Sequence, residues 1–388
     1  MTEKDSSLAT MLPVMGLSIA AFIFNTSEFM PVGLLTDIAA SFSLTEAQAG
    51  MMISIYAWGV MILSLPLMMA GSRLAPKKLL LAVVAVFLAG QAVSALAPSF
   101  PLLIAARLLV AAAHAVFWSL ATPLAARIVD ERHAPAAMGA VVTGSSVALI
   151  FGMPLGRMVG LALGWRMTFA CVAVAALAVL VLLAALLPNV EKGEPFTLGQ
   201  LPGLMSNRRL LAVYVVTILV TTGYYTGYSY IEPLLKQVAG MADALVTVVL
   251  AVFGLAGVVG SMLFSRFYDS HRVSFTRVMV LGVAVALLLL GLAGPLPAMA
   301  FVACMVWGMS STAFNLSFQA EVIRVTDDDA SAVAMSVYSG LFNLGIGCGT
   351  WVGGLVTSGV GVFAVGFAGC VIALAGFALC CRTLARRA

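Results

Sequence analysis

The sequence has very little charge, few histidines and no paired-cysteine motif. Charged residues make up 9% of the 388 positions, whereas a soluble domain carries about 25%. So little charge cannot cover a soluble protein of this length, which excludes a soluble enzyme, a nucleic-acid-binding protein and a disordered chain. The three histidines and six cysteines lack metal-ligand and disulfide spacing. The chain has no phosphate-binding loop either. We therefore expect no enzyme activity, no metal and no cofactor.

Apolar residues make up 62% of the chain and form long runs between short polar loops. A bilayer core about 30 Å thick needs about 20 apolar residues per helix, and the runs do not alternate as the strands of a β-barrel would. We therefore predict an all-α, polytopic membrane protein with twelve transmembrane helices. The predicted spans are 11–35, 47–70, 78–97, 101–126, 137–160, 167–188, 210–231, 244–265, 278–294, 297–320, 332–356 and 360–381.

The positions of the basic residues predict the orientation in the membrane. With both termini in the cytoplasm, sixteen of the 20 lysines and arginines fall on the cytoplasmic side, as the positive-inside rule requires. The four exceptions are Arg107, Arg157, Arg166 and Lys236. The reverse orientation would break the rule in every short loop.

A polar segment separates two sets of six spans. Residues 189–209 contain prolines, glycines and charges, and we predict that they form a cytoplasmic linker between an N-terminal half, 1–188, and a C-terminal half, 210–388. A shift of 197 residues aligns Phe117 with Phe314 and Arg127 with Arg324, a weak internal repeat. Two pseudo-symmetric six-helix halves resemble the build of a major facilitator transporter, in which the halves rock around a site near the bilayer midplane.

Ionisable residues inside the spans are functional candidates, because charge is costly there. Glu28 and Arg107 lie at about the same depth, roughly 10 Å below the outer end of their spans. His114 lies two turns from Arg107 on the same helix face. We predict that these three residues form a proton-coupling site in which Arg107 keeps Glu28 ionised until a proton arrives. The alternatives are a static ion pair between the two helices and a neutral, packing His114. Three ionisable residues at span ends are expected to reach water by snorkelling: Glu232, Glu321 and Arg266.

Polar and aromatic side chains are concentrated in a few spans, most densely at 221–230 in the seventh. Aromatic faces with hydroxyl and amide groups suit a sugar, and they suit a neutral amphipathic drug as well. Part of the group in the seventh span could instead belong to the interfacial aromatic belt. The predicted substrate-binding residues are Asn25, Glu28, Tyr56, His114, Trp118, Tyr225, Tyr228, Tyr230, Trp307, Asn315 and Asn343.

Several segments together are similar to one branch of the major facilitator superfamily. They include FNTSEFMPVGLLTDIAASF at 24–42, AHAVFW at 113–118, GMPLGRMVG at 152–160 and FNLGIGCG at 342–349. The branch is that of drug and sugar:proton antiporters, and the chain most resembles bacterial sugar efflux transporters over nearly its whole length. The resemblance implies Glu28 for proton coupling and Arg107 as its partner. It also implies an antiporter motif, and hence efflux, at Gly152, Pro154, Gly156 and Gly160.

The resemblance implies proton-coupled efflux of a sugar or small glycoside across a bacterial inner membrane, with the proton as coupling ion. We expect a monomer in the lipid bilayer, with no nucleic-acid partner. A multidrug:proton antiporter and a non-transporting sugar sensor on the same scaffold remain as alternatives. One loop departs from the family pattern, because Gly71-Ser72-Arg73-Leu74-Ala75-Pro76-Lys77-Lys78 has no Asp for the usual inner-gate salt bridge.

Overall fold

The computed structural model describes residues 3–191, 199 and 201–384. Within these ranges the chain folds into helices joined by short connections, and no strand occurs there. The predicted all-α membrane fold is therefore confirmed. Residues 192–198 and 200, which belong to the predicted linker, lie outside the described residues.

Fifteen α-helices follow one another along the described chain. The first eight are α1 (Glu3–Phe29), α2 (Leu35–Ser41), α3 (Glu46–Gly71), α4 (Pro76–Leu96), α5 (Phe100–Arg127), α6 (Ala134–Val147), α7 (Met153–Leu163) and α8 (Trp165–Leu186). The remaining seven are α9 (Leu201–Ser206), α10 (Arg208–Tyr228), α11 (Ile231–Gln237), α12 (Asp243–Ala293), α13 (Pro297–Arg324), α14 (Asp328–Gly359) and α15 (Val365–Leu384).

Each of the twelve predicted spans overlaps a helical segment, with end residues that differ by a few positions. Ten segments of the described chain are long and apolar enough to cross a bilayer by length and composition. One of them, the 51-residue α12, contains both spans 244–265 and 278–294, and α14 contains span 332–356. At about 1.5 Å per residue, α12 is more than twice as long as the bilayer core is thick, and because it consists of two helices joined by a kink at His271 it can cross twice.

Two predicted spans are interrupted in the structure, and the connection between two others is shorter than predicted. The first is broken after α1 by a 3-10 helix at Met30–Leu34, which contains Pro31 and Gly33. The fifth contains a π-helical turn at Ala148–Gly152 between α6 and α7. Between the eighth and ninth spans, where a loop was expected, a kink at His271 with non-helical backbone angles joins the two helices that make up α12.

The chain forms two compact units. The first contains Met1–Pro31 and Ile62–Thr197, and the second contains Val32–Met61 and Leu198–Ala388. Residues 32–61, which form the hairpin of α2 and the start of α3, thus belong to the second unit although they precede most of the first unit in the sequence. The two halves predicted at 1–188 and 210–388 remain a prediction.

In the first unit, glycines let α1 pack closely along α6, the π-turn and α7. A Cβ atom on any of three glycines would collide with α1. The pairs are Gly144 on Ser18, Gly152 on Thr26, and Gly156 on Met30. Each pair is 126 residues apart, so the two helices run parallel in fixed register.

The second unit repeats this arrangement with α10 and α14. Gly345 lies against Thr221 and Gly349 against Tyr225, both 124 residues apart in the sequence. The ends of α5 and α13 also correspond, since Arg127 and Arg324 differ by the shift of 197 residues that aligns the two parts of the sequence. Gly349, which that shift aligns with Gly152, therefore makes a similar close helix contact in its own unit.

Candidate functional site

In the first unit, α1 and α5 bring two of the predicted proton-coupling residues together. The Glu28 Oε2 atom lies 3.5 Å from His114 Nε2, with only 12% and 5% of the two side chains exposed. Water is largely excluded from this contact, so the charge on either group depends strongly on the other and on nearby dipoles. An acid and an imidazole in contact inside the protein can exchange a proton.

The third predicted member, Arg107, is anchored on the residue that precedes Glu28. Its guanidinium donates to the Ser27 Oγ at 3.0 Å and to the Ser27 carbonyl at 3.1 Å. Gln91 of α4 donates to the same hydroxyl. Arg107 is 2% exposed, so its positive charge sits within the helix bundle beside the Glu28–His114 contact. The direct Glu28–Arg107 pairing stays a prediction.

A stack of aromatic rings supports this cluster from one side. Phe24 of α1 stacks on Phe87 of α4, with ring centroids 3.9 Å apart, and on Phe117 of α5 at 4.1 Å. All three rings are fully buried. Trp118 lies edge-on to Phe117 at 5.3 Å and donates its Nε1–H to His114 Nε2 at 2.8 Å. The aromatic stack therefore fixes α1, α4 and α5 around the acid and the imidazole.

The predicted antiporter motif lies beside α1. Gly152, Pro154, Gly156 and Gly160 are buried, and the first and third form the close contacts with α1. One turn before Glu28, the Asn25 amide donates to Ser145 Oγ, near the start of the π-turn. The motif therefore packs against the same helix that carries Glu28, so a shift of α1 would affect both the motif and the Glu28–His114 contact.

In the second unit, aromatic side chains of α10, α12 and α13 pack together. Tyr224 and Tyr228 stack at 5.1 Å, and both contact Trp307, at 5.3 and 5.9 Å. Phe253 completes the group 5.8 Å from Trp307, and Tyr225 lies 5.5 Å from Tyr228. We call Tyr224, Tyr225, Tyr228, Phe253 and Trp307 the aromatic cluster.

Several buried polar atoms of the second unit lack a hydrogen-bond partner among the described protein atoms, and two of them lie on predicted substrate-binding residues of α13 and α14. These two are the Trp307 Nε1–H and the Asn343 Oδ1. The Nδ2 atom of the same Asn343 amide donates to the Ser339 carbonyl at 3.0 Å. A buried donor or acceptor without a partner costs about 1–3 kcal/mol, so both atoms are suited to a ligand or to ordered water.

The other predicted substrate residues of this unit have protein contacts. Tyr230 is fully buried and donates to the Thr350 carbonyl at 3.1 Å, apart from the aromatic cluster. Asn315 Oδ1 accepts from Tyr338 Oη at 2.8 Å and from Gln319 Nε2 at 3.2 Å. Tyr56 is 2% exposed on α3. Their roles in substrate binding stay predictions.

The prediction that Glu232 and Glu321 snorkel to water is wrong, because both are buried with polar partners. Glu232 is 0% exposed and accepts from the Thr36 hydroxyl at 2.6 Å and the Thr36 N–H at 3.2 Å. Glu321 is 3% exposed and accepts from Tyr268 Oη at 2.9 Å, with Arg272 Nε at 3.3 Å. These partners are distant in the sequence and leave no local signal, although Glu232 also pairs with Lys236 four residues on, at 3.6 Å.

The loop without the usual Asp has a different polar contact. Lys77, at the start of α4, donates its Nζ to the Leu187 carbonyl just past the end of α8, at 2.5 Å. A cation is favourable at a helix C-terminus, where carbonyls lack intrahelical partners. The lysine thus ties α4 to α8 within the first unit.

Comparison with known proteins places the chain in a family of transporters. The sequence profile described as Major Facilitator Superfamily matches residues 17–339, which is most of the chain. In the part of the chain that the structure describes, no group of three or more His, Cys, Asp or Glu could hold a metal ion.

Solved structures with low sequence identity share the fold. A bacterial homolog of the human lysosomal transporter Spinster, in an inward-facing and occupied conformation, aligns with TM-score 0.72 at 16% identity, covering 99% of this chain and 95% of that one. The human organic anion transporter TETRAN aligns with TM-score 0.68 at 17% identity, covering 96% and 98%. A mutant of the peptide transporter POT in complex with alafosfalin aligns with TM-score 0.75 at 12% identity, covering 96% and 94%.

Proposed function

This chain belongs to the major facilitator superfamily, and from its site residues we propose that it is a proton-coupled antiporter that exports sugars or small glycosides. The observation that carries the proposal is the contact between Glu28 and His114 at 3.5 Å inside the first unit. Superfamily members transport small molecules across membranes by alternating access, and a buried acid is the group a proton-driven member needs.

The proposed cycle assigns one task to each of the three residues. Glu28 takes a proton from the outer side while the substrate leaves. His114 shares that proton, and Arg107 keeps a positive charge next to the pair, which favours release of the proton once the site faces the cytoplasm. The export direction rests on the antiporter motif at Gly152–Gly160. We place the protein in a bacterial inner membrane with both termini in the cytoplasm.

The aromatic cluster supports a sugar as the substrate. Tyrosine and tryptophan rings stack on the C–H faces of sugars, and the Trp307 Nε1–H and Asn343 Oδ1 offer one donor and one acceptor without protein partners among the described residues. A purely apolar drug would leave both atoms unpaired. The polar groups therefore favour a hydroxylated substrate over a hydrophobic cation.

Flux into and out of proteoliposomes under an imposed pH gradient tests the proposal. Purified protein is supplied with labelled monosaccharides, disaccharides, alkyl glycosides and hydrophobic cations, while internal pH is recorded. We expect saccharide movement against its gradient, coupled to counterflow of protons. Transport of the cations alone would favour the multidrug alternative, and saccharide binding without any flux would favour the sensor.

The variant Glu28→Gln isolates the coupling role. It keeps the size of the side chain but cannot release a proton, so pH-driven export should be lost while substrate binding is retained. The matched control is Glu131→Gln, which removes an exposed acid and should transport like the wild type. Undiminished pH-driven export by Glu28→Gln would contradict the proposal.

A further inference from the structure

Two polar groups approach the same nitrogen of His114. Trp118 Nε1 donates to His114 Nε2 at 2.8 Å, and Glu28 Oε2 lies 3.5 Å from that atom. Trp118 follows His114 by four residues on α5, so the indole sits on the next turn of the same face. The acid, the imidazole and the indole thus form a chain of three contacting groups.

The bond from Trp118 defines which nitrogen of His114 carries the proton. An indole N–H can only donate, so His114 Nε2 must accept with its lone pair, and the neutral ring is protonated at Nδ1. An ionised Glu28 would then present a second acceptor to the same lone pair. A protonated Glu28 instead presents a donor that shares this lone pair with the indole N–H, so the arrangement matches the state in which the acid holds the proton.

Transfer of that proton to His114 reverses the role of Nε2. The Glu28 O–H bond breaks, an N–H bond forms at Nε2, and the products are a carboxylate and an imidazolium. The new Nε2–H faces the Trp118 N–H, two donors that repel, and it turns towards the Glu28 carboxylate. The hydrogen bond of Trp118 cannot survive this step.

We propose that Trp118 is a positioning residue that converts the protonation state of the Glu28–His114 contact into a movement of its own indole ring. The proposal rests on the proposed coupling role of Glu28 and His114. It adds that a change in their protonation state alters the position of a third side chain, that of Trp118. With His114 neutral, Trp118 is held in place; with His114 protonated, the indole is released.

The surroundings of Trp118 restrict where the indole can go. On one side lies Phe117, which is clamped in the fully buried stack with Phe24 and Phe87. Trp118 itself is only half-buried, so its free space lies away from that stack. Release therefore moves the indole towards the open side, where a predicted substrate contact would be gained or lost.

The charged groups that face His114 come from two helices. Glu28 of α1 is the titratable one, and Arg107 of α5 is a permanent cation held on Ser27. From α4 comes the neutral Gln91, which donates to the same serine. Among these groups, Glu28 and His114 are the two that can change charge, so a pH response of Trp118 is expected to depend on both.

Tryptophan fluorescence of the substrate-free protein in detergent tests the proposal. The emission of Trp118 is obtained as the difference between the wild type and Trp118→Phe across a pH titration. This emission should depend on pH because a protonated imidazole near an indole quenches its fluorescence. We expect one pH-dependent transition in this difference. In His114→Gln, whose amide oxygen can still accept from Trp118 but does not titrate, the transition should vanish. A transition of unchanged size in His114→Gln, or none in the wild-type difference, would overturn the proposal.

A transport readout separates positioning from mere packing. In substrate counterflow without a pH gradient, Trp118→Phe should flatten the dependence of the exchange rate on pH. A uniform loss of rate at every pH, with the profile retained, would contradict the proposal. The fluorescence measurement uses no substrate, so it stands or falls independently of the substrate class and the export direction.

Discussion

At the scale of single residues, the buried acids differ in how far the sequence could predict their surroundings. The matching depths of Glu28 and Arg107 follow from helix rise alone, and the structure brings both to the segment around Ser27. The bond between Trp118 and His114 was also accessible, since four residues separate them on one helix. By contrast, spacing predicts only one partner of Glu232, Lys236 four residues on, and cannot predict the other, Thr36, which lies 196 residues away.

Removal of the Glu232 carboxylate should loosen the hairpin at residues 32–61. The variant Glu232→Ala leaves the N–H and hydroxyl of Thr36 without their acceptor, at a cost of about 1–3 kcal/mol. We expect faster hydrogen–deuterium exchange in α2, measured by mass spectrometry, with α4 as the internal reference. Glu232→Gln retains an acceptor for Thr36 and should fall between the wild type and Glu232→Ala. Unchanged exchange in α2 of Glu232→Ala would show that this contact does not hold the hairpin.

At the scale of elements, helix existence was predictable and helix continuity was not. Each apolar run predicted a span, because the bilayer sets the length of apolar sequence. The break after Phe29 follows from Pro31 and Gly33, which the span prediction did not use. The segment that its charges marked as a loop is reduced to a kink at His271, where the two helices that make up α12 meet. The π-turn at Ala148–Gly152 has no comparable local signal.

The close packing between α1 and the π-turn predicts a large difference between two glycines of the same predicted span. In Gly152→Ala the new methyl group would lie 2.5 Å from Thr26 Oγ1, so the helices must move apart. We expect a loss of roughly 1–3 kcal/mol in stability, seen as a lower midpoint of thermal unfolding in detergent. The matched control is Gly139→Ala, which meets nothing within 4 Å and should be neutral or stabilising by up to about 1 kcal/mol. Equal midpoints for the two variants would contradict the close contact.

At the scale of the whole molecule, the distribution of basic residues predicts an orientation that reporter fusions can measure. Green fluorescent protein fused at residue 388 should fluoresce, because it folds in the cytoplasm. Alkaline phosphatase inserted between α11 and α12 should be active, because the predicted orientation puts that connection outside. The same enzyme inserted between α3 and α4 should be inactive. The opposite result at all three positions would reverse the topology.

The parallel helix pairs have a mechanical consequence. The contacts of Gly144, Gly152 and Gly156 with α1 extend over twelve residues, about 18 Å of helix. Two helical segments in close contact at three successive points along such a length resist both sliding and tilting against each other. A displacement at one end of α1 would therefore move the far end of α7 by nearly the same distance. Each parallel helix pair would therefore move as one rigid body, and the close contacts at its glycines determine how rigid it is.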